Sequence, residues 1–298
     1  MLLITGITGH SGRYFLQELI KNKYEGKIRC IIRGTSDTSL LDKSGLNIEK
    51  LIGNLHDQEF IDKAMIGVDT VMHIASIFYS VGIIKAAVKN KVRRAILVHT
   101  TGIYSKFKSA SDEYKNIEES VEKTIKESNS SVGLICLRPT MIYGNINDRN
   151  MVIFIKMVDK LRLFPIIAHG KNLLQPVNAR DLGRAYYQVL CKPDIISGDY
   201  ILSGEKPISM LEMFKMIGNY LGKKTVFISI PLGLGVFMAR CLKTLTLGKV
   251  DYIEKVQRMG EDRNFPHDAA TRDFGYNPMP FEEGIKIEVE QYLEKFKR

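Results

Sequence analysis

The stretch Thr5-Gly6-Ile7-Thr8-Gly9-His10-Ser11-Gly12 follows a short apolar run, Leu2-Leu3-Ile4, and leads into a segment whose apolar residues recur at helical spacing. Strand, glycine-rich turn and helix in that order put the turn where a parallel sheet ends against a helix N-terminus. Backbone amides there can hold a pyrophosphate, and glycines keep side chains out of its way. Gly6, Thr8, Gly9, His10, Ser11 and Gly12 are the expected cofactor contacts.

The first half of the chain alternates β-branched apolar runs with amphipathic segments, the pattern of βαβ units around a sheet buried on both faces. Strands are expected at 2–5, 28–32, 48–52, 70–74, 94–98 and 132–138, with helices near 11–22, 57–65, 81–90 and 111–127. After Pro165 the elements shorten, with helices near 209–221, 252–259 and 281–296. The expected fold is α/β: a doubly wound, parallel-sheet Rossmann domain with a smaller C-terminal α+β substrate domain. Residues 1–165 would form the first and 166–298 the second, with a segment near 174–200 returning to the first.

Lys and Arg number 43 against 33 Asp and Glu in 298 residues, a net charge of +10 that suits anionic ligands. The basic residues alternate with acids and tryptophan is absent, so nucleic acid is not an expected partner. Cys30, Cys136, Cys191 and Cys241 are too far apart for a metal site or a disulfide framework. With no basic leader before Leu2, the reading is a cytoplasmic protein with reduced thiols. The longest apolar stretch, 228–247, is interrupted by Pro231, Arg240 and Lys243, which argues against membrane insertion and for a core or groove helix.

The glycine spacing Gly6-x-x-Gly9-x-x-Gly12 is the form found in short-chain dehydrogenases/reductases, and further motifs follow in order. They are Gly53-Asn54-Leu55-His56-Asp57, the run from Gly67 to Ala75, Arg138-Pro139-Thr140-Met141-Ile142-Tyr143-Gly144, and Gln175-Pro176-Val177-Asn178-Ala179-Arg180-Asp181. Together they make the chain resemble the extended, and in part atypical, branch of that superfamily, the NAD(P)-dependent epimerase/dehydratase family. The resemblance implies a dinucleotide with Asn54 and Leu55 beside adenine, and with Ile74, Ala75, Ser76, Pro139 and Ile142 along its ribose and nicotinamide. The second strand ends in Arg33-Gly34-Thr35-Ser36, where an NAD-selective site usually carries an acid. Arg33 suits a 2'-phosphate, so NADP is expected, with NAD the alternative.

Family chemistry needs a tyrosine to move a proton, a lysine four residues later to lower its pKa, and a Ser or Thr donor at the end of the fifth strand. The donor is Thr101 or Thr100. The tyrosine is Tyr114, with Glu118 in the lysine's place, and a carboxylate there raises a phenol's pKa. Lys106, Lys108 and Lys115 are the candidates for a displaced cation, although helix geometry turns Lys115 away. Tyr104 is a second candidate proton donor, and His73, inside an apolar strand, reads as a core histidine.

Two functions stay open at this level. One is an NAD(P)-dependent oxidoreductase or epimerase acting on a small, nucleotide-sugar-like substrate, whose phosphates would meet Lys171, Arg180, Arg258 or Arg263. The other is a non-catalytic NADP(H) sensor, for which the missing lysine speaks. If the lysine's absence limits turnover, Glu118→Lys should raise it. A weaker third reading docks a lipid- or sterol-directed enzyme on membranes through 227–247. A homodimer is compatible with all three.

Overall fold

A computed structural model describes residues 1–107, 109, 111–148 and 150–296. The main sheet is built from β1 (Leu2–Thr5), β2 (Ile28–Ile32), β3 (Ile48–Ile52), β4 (Thr70–His73), β5 (Arg94–Val98) and β6 (Gly133–Pro139). Among them run α1 (Gly12–Lys21), α2 (Ser39–Asp42), α3 (Gln58–Ala64), α4 (Ser80–Lys89) and α5 (Ser111–Glu127). The expected strands and helices of this half stand within a residue or two of these bounds, apart from the four-residue α2.

The second half contains β7 (Ile142–Tyr143), α6 (Met151–Lys160), β8 (Leu163–Ile167), β9 (Leu173–Leu174), β10 (Val177–Asn178) and α7 (Ala179–Leu190). It continues with β11 (Gly198–Leu202), β12 (Ile208–Ser209), α8 (Met210–Tyr220), β13 (Val226–Ile230) and α9 (Leu232–Leu245). It ends with α10 (Ile253–Arg258), α11 (Asp268–Phe274) and α12 (Phe281–Phe296).

Seven parallel strands lie in the order β11-β6-β5-β4-β1-β2-β3. The chain winds from β1 out to β3, then returns to the other side of β1 with β4, so the β1/β4 pair is the switch point of a doubly wound Rossmann fold. Ligands of such sheets bind outside the carboxyl ends of the strands at that point.

Both faces of the sheet are covered at its central strands, where every residue of β1, β4 and β5 is buried. Ile96 and Val98 of β5 join the core under α1 and α7, while Ala95 and Leu97 join the one under α3, α4 and α5. A third core, around Phe164, Phe214, Ile217 and Ile285, holds α6, α8 and α12 together. Of the two readings of 228–247, core helix or groove helix, the structure excludes the first. In α9 only Gly235 and Ala239 are buried. No helix among the described residues is long and apolar enough to cross a membrane.

Candidate functional site

The glycine turn closes tightly at the switch point. Gly6 has φ +77, and a Cβ on it would lie 2.6 Å from the Ala75 nitrogen, so the turn after β1 abuts the chain leaving β4. The Gly9 amide donates to the Gly6 carbonyl (2.9 Å), and α1 begins at Gly12 with no side chain capping it. Thr5 and His73 lock the two strand ends together through an Oγ1···Nδ1 bond of 2.7 Å, and His73 Nε2 reaches the Ser76 carbonyl (2.8 Å). Burial drives the His73 pKa down to about 4, so this histidine is a neutral strut inside the fold.

The other expected cofactor contacts are strung along the same carboxyl edge. Arg33 is exposed after β2, its amide bonded to Ser36 Oγ (3.2 Å), and its guanidinium has no ion pair among the described residues. Asn54 is exposed after β3 and uses its side chain to accept from the His56 amide (3.0 Å). Ala75 is open, Leu55, Ile74, Ser76 and Ile142 are half-buried, and Pro139 is covered. His10 faces Asn145, whose Nδ2 lies 3.3 Å from His10 Nδ1, and burial lowers its pKa. Tyr186 donates to Ser11 Oγ (3.4 Å).

Behind this turn lies a buried carboxyl. Glu288 of α12 accepts from the Gly144 amide (2.7 Å), and burial, with Asp148 adding to it, pushes its pKa up to about 10. Across neutral pH the folded protein therefore holds one more proton here than the unfolded chain. The stability this group contributes is complete below its ordinary value of 4.5 and falls as pH rises toward 10, by up to about 1.4 kcal/mol per unit. Glu288→Gln keeps the acceptor and cannot ionise. Urea titrations at mildly acidic and alkaline pH should show that variant gaining on the wild type as pH rises, and parallel curves would contradict the raised pKa.

At the position where the family pattern places its lysine, Glu118 is held by other side chains. Glu118 accepts from Arg138 Nη2 (3.0 Å) and Nη1, and from His99 Nδ1 (2.8 Å). Arg138 is also held by Asp199 (2.6 and 2.7 Å), and His99 Nε2 meets Ser80 Oγ (2.9 Å). Burial opposes charge on Glu118, but the His99 and Arg138 hydrogen bonds outweigh it and hold the carboxyl below its ordinary value. Four elements are tied by this chain: α4, α5, β6 and β11. Ser80, His99 and Asp199 were not singled out from the sequence, because only the register of β5, β6 and β11 brings them to Glu118.

Tyr114 packs its ring on Phe78, 5.8 Å between centroids. Thr101 is buried and donates to the Pro139 carbonyl (3.3 Å), whereas Thr100 is half-exposed and accepts from the Gly102 amide (3.0 Å), leaving its own proton to give. Tyr104 is exposed, with Phe265 5.6 Å and the Arg138 guanidinium 5.8 Å from its ring, and partial burial raises its pKa. Of the displaced cations, Lys115 pairs with Asp112 (3.4 Å), Lys106 is exposed with its amide on Glu261 (2.7 Å), and Lys108 lies outside the described residues.

The segment after α10 straps the two halves together. Glu261 accepts from Ser105 Oγ and the Lys106 amide, Asp262 from the Leu173 amide, and Gln175 Oε1 from the Phe265 amide. This strap carries Arg263 beside Arg258. Burial, then the Arg258 charge, brings the Arg263 pKa down to about 10, and both Nε atoms are buried with no hydrogen-bond partner among the described residues. Arg258 Nη1 lies 3.9 Å from Glu254 Oε1, a loose pair that leaves two adjoining guanidiniums with room for an anionic group. Arg180 instead donates to the Gly144 carbonyl (2.7 Å) and covers the Tyr14 ring, and Lys171 is exposed.

The family model for NmrA-like proteins matches residues 1–239. The chain belongs to the NmrA-like family. Its fold is that of the NAD(P)-binding oxidoreductases of the extended short-chain branch, as the motifs implied. This NmrA-like chain is 38% identical to sterol demethylase protein B of Methylococcus capsulatus over 74 residues, 25% of the chain and 21% of that protein. It is 23% identical to 2-alkyl-3-oxoalkanoate reductase of Shewanella oneidensis, covering 95% of the chain and 84% of the relative. Among solved structures it resembles DesIV, a dTDP-glucose 4,6-dehydratase of Streptomyces venezuelae with NAD bound. The TM-score is 0.73 and the identity 17%, over 98% of this chain and 97% of that one.

Proposed function

We propose that this protein is an NADP(H)-dependent oxidoreductase acting at a carbonyl or carbinol of a small, phosphate-bearing, nucleotide-sugar-like substrate. In this reading residues 1–165, with 174–200 returning, hold the dinucleotide, and 166–298 hold the substrate. The observation that carries it is the cradle at the β1/β4 switch, where Gly6 leaves no room for a Cβ, next to an exposed Arg33 that has no ion pair among the described residues. The residues fit the cofactor, which would supply hydride transfer. The turn from Gly6 to Gly12 would hold the pyrophosphate and Arg33 the 2'-phosphate, with Ala75, Pro139 and Ile142 along the ribose and nicotinamide. Arg258 and Arg263 would hold the substrate's anion. Thr100 would orient the oxygen, and Tyr114 would pass the proton. The reductase name of the Shewanella relative and the nucleotide-sugar name of DesIV support this class of reaction.

Glu118, which stands in the lysine's place and is committed to Arg138 and His99, favours a second reading, an NADP(H) sensor. Single-turnover mixing of NADPH-loaded protein with a panel of carbonyl compounds separates the two. An oxidoreductase consumes the bound NADPH; a sensor binds NADPH and NADP with different affinities and consumes neither. For cofactor choice, Arg33→Ala should weaken NADPH binding about 10- to 100-fold, one lost charge-assisted contact, and leave NADH nearly unchanged. Equal losses for both, read by fluorescence titration, would remove Arg33 from the 2'-phosphate.

A further inference from the structure

The surface of α9 is inverted relative to an ordinary packed helix. Leu234, Phe237, Met238, Cys241, Leu242 and Leu245 recur at i, i+3, i+4, i+7, i+8 and i+11, which is the spacing of a core-facing stripe. In this molecule the stripe faces solvent. Phe237 is 62% exposed, Leu245 82%, and Leu247 just beyond the helix 89%. The helix rests on the body through the small residues Gly235 and Ala239 instead. Just before it, Val226 and Ile228 of β13, and Leu163 of the paired β8, are also exposed. Unpartnered apolar surface of this extent marks a docking site.

Charge decides what docks there. From 222 to 250 the chain carries Lys223, Lys224, Arg240, Lys243 and Lys249 and not one Asp or Glu. Lys223 and Lys243 pair with Asp159 and Asp251, while Lys224, Arg240 and Lys249 have no ion pair among the described residues. A two-fold pairing of this face with a second copy would set these cations against each other, since a symmetric interface uses the same patch twice. An apolar stripe flanked by cations matches the headgroup boundary of an anionic bilayer.

We propose that the protein docks peripherally on anionic lipid surfaces through the solvent-facing stripe of α9 and its flanking cations. Phe237 and Arg240 also border a groove of about 410 Å³ whose far wall is Phe107. Phe107 follows Ser105 and Lys106, the residues strapped to Glu261. The docking rests on none of the cofactor or substrate assignments.

Co-sedimentation with phosphatidylcholine vesicles, with and without phosphatidylglycerol, tests it on the full chain. Wild-type protein should pellet with the anionic vesicles, stay in solution with the neutral ones, and be released by high salt. Phe237→Asp with Leu245→Asp, and separately Arg240→Glu with Lys249→Glu, should each lower binding at least about tenfold. Both variants alter exposed side chains only, and an unchanged melting curve checks that they fold. Failure of the wild type to bind anionic vesicles overturns the proposal, as does equal binding to both lipids or undiminished binding by either variant. A wild-type dimer in light scattering that Phe237→Asp with Leu245→Asp splits, without vesicle binding, assigns the face to a second copy and overturns it too.

Discussion

Glu118→Lys is expected to lower the melting midpoint by roughly 10 °C and to bring no gain in turnover. The family pattern makes lysine the natural residue at this position, and from the sequence its return should raise activity. The structure reverses that expectation. A lysine at 118 would set its ammonium against the Arg138 guanidinium, leave His99 Nδ1 without its acceptor, and strand Arg138 on Asp199 alone, a half-exposed partner. Breaking a buried ion pair from one side costs about 3–5 kcal/mol, and here a like charge is added. Against a total stability of about 5–15 kcal/mol, that is a large fraction, and at about 2–4 °C per kcal/mol for a chain of this size it gives the stated shift. Glu118→Gln, which keeps an acceptor and removes the charge, should fall between the two. A Glu118→Lys protein that melts with the wild type would show that Arg138 finds its partners elsewhere and that the carboxylate is not what holds α5 to β6.

What could be read from the sequence follows from what is local. The strands Leu2–Thr5, Ile28–Ile32 and Arg94–Val98 carry their burial in their own composition, whereas Ile48–Ile52, at the sheet edge, has no buried residue. The glycine turn carries its conformation in its spacing. Edge strand β11, with a glycine and an aspartate among five residues, has too weak a pattern of its own, and α7 mixes Gly183 and two arginines into its stripe. Glu118 was legible as a missing lysine because that is a statement about one position. Its partners were not, since His99, just past the end of β5, and Arg138, on β6, lie 19 and 20 residues away. Arg258 and Arg263 could be read as cations but not as a pair with buried Nε atoms, because burial is a property of the fold. In α9 the apolar period was plain, yet period does not say which side the body takes. Gly235 and Ala239, small enough for a close approach, took it.

Gly9→Ala and Gly12→Ala should part company, and the contrast tests the cradle directly. A Cβ at Gly12 would sit 2.1 Å from the Gly6 carbonyl oxygen and 2.8 Å from the Ile7 Cα, both backbone atoms that no rotamer change can move aside. The turn must open or the start of α1 must lift off it, so the variant is expected to lose about 3 kcal/mol or more of stability, the scale of severe steric lesions. Its dinucleotide binding should disappear with the geometry of the turn. At Gly9 the added Cβ meets only the Gly6 oxygen, at 3.0 Å, and the residue is exposed, so the fold should survive with little change. Any methyl on that exposed corner still stands where backbone must approach a phosphate closely, and a loss of affinity of about tenfold or more is expected with a near-native melt. If Gly9→Ala binds NADPH as the wild type does while Gly12→Ala merely unfolds, the three glycines serve the joint between β1 and α1 alone, and the dinucleotide must be held elsewhere along the strand ends.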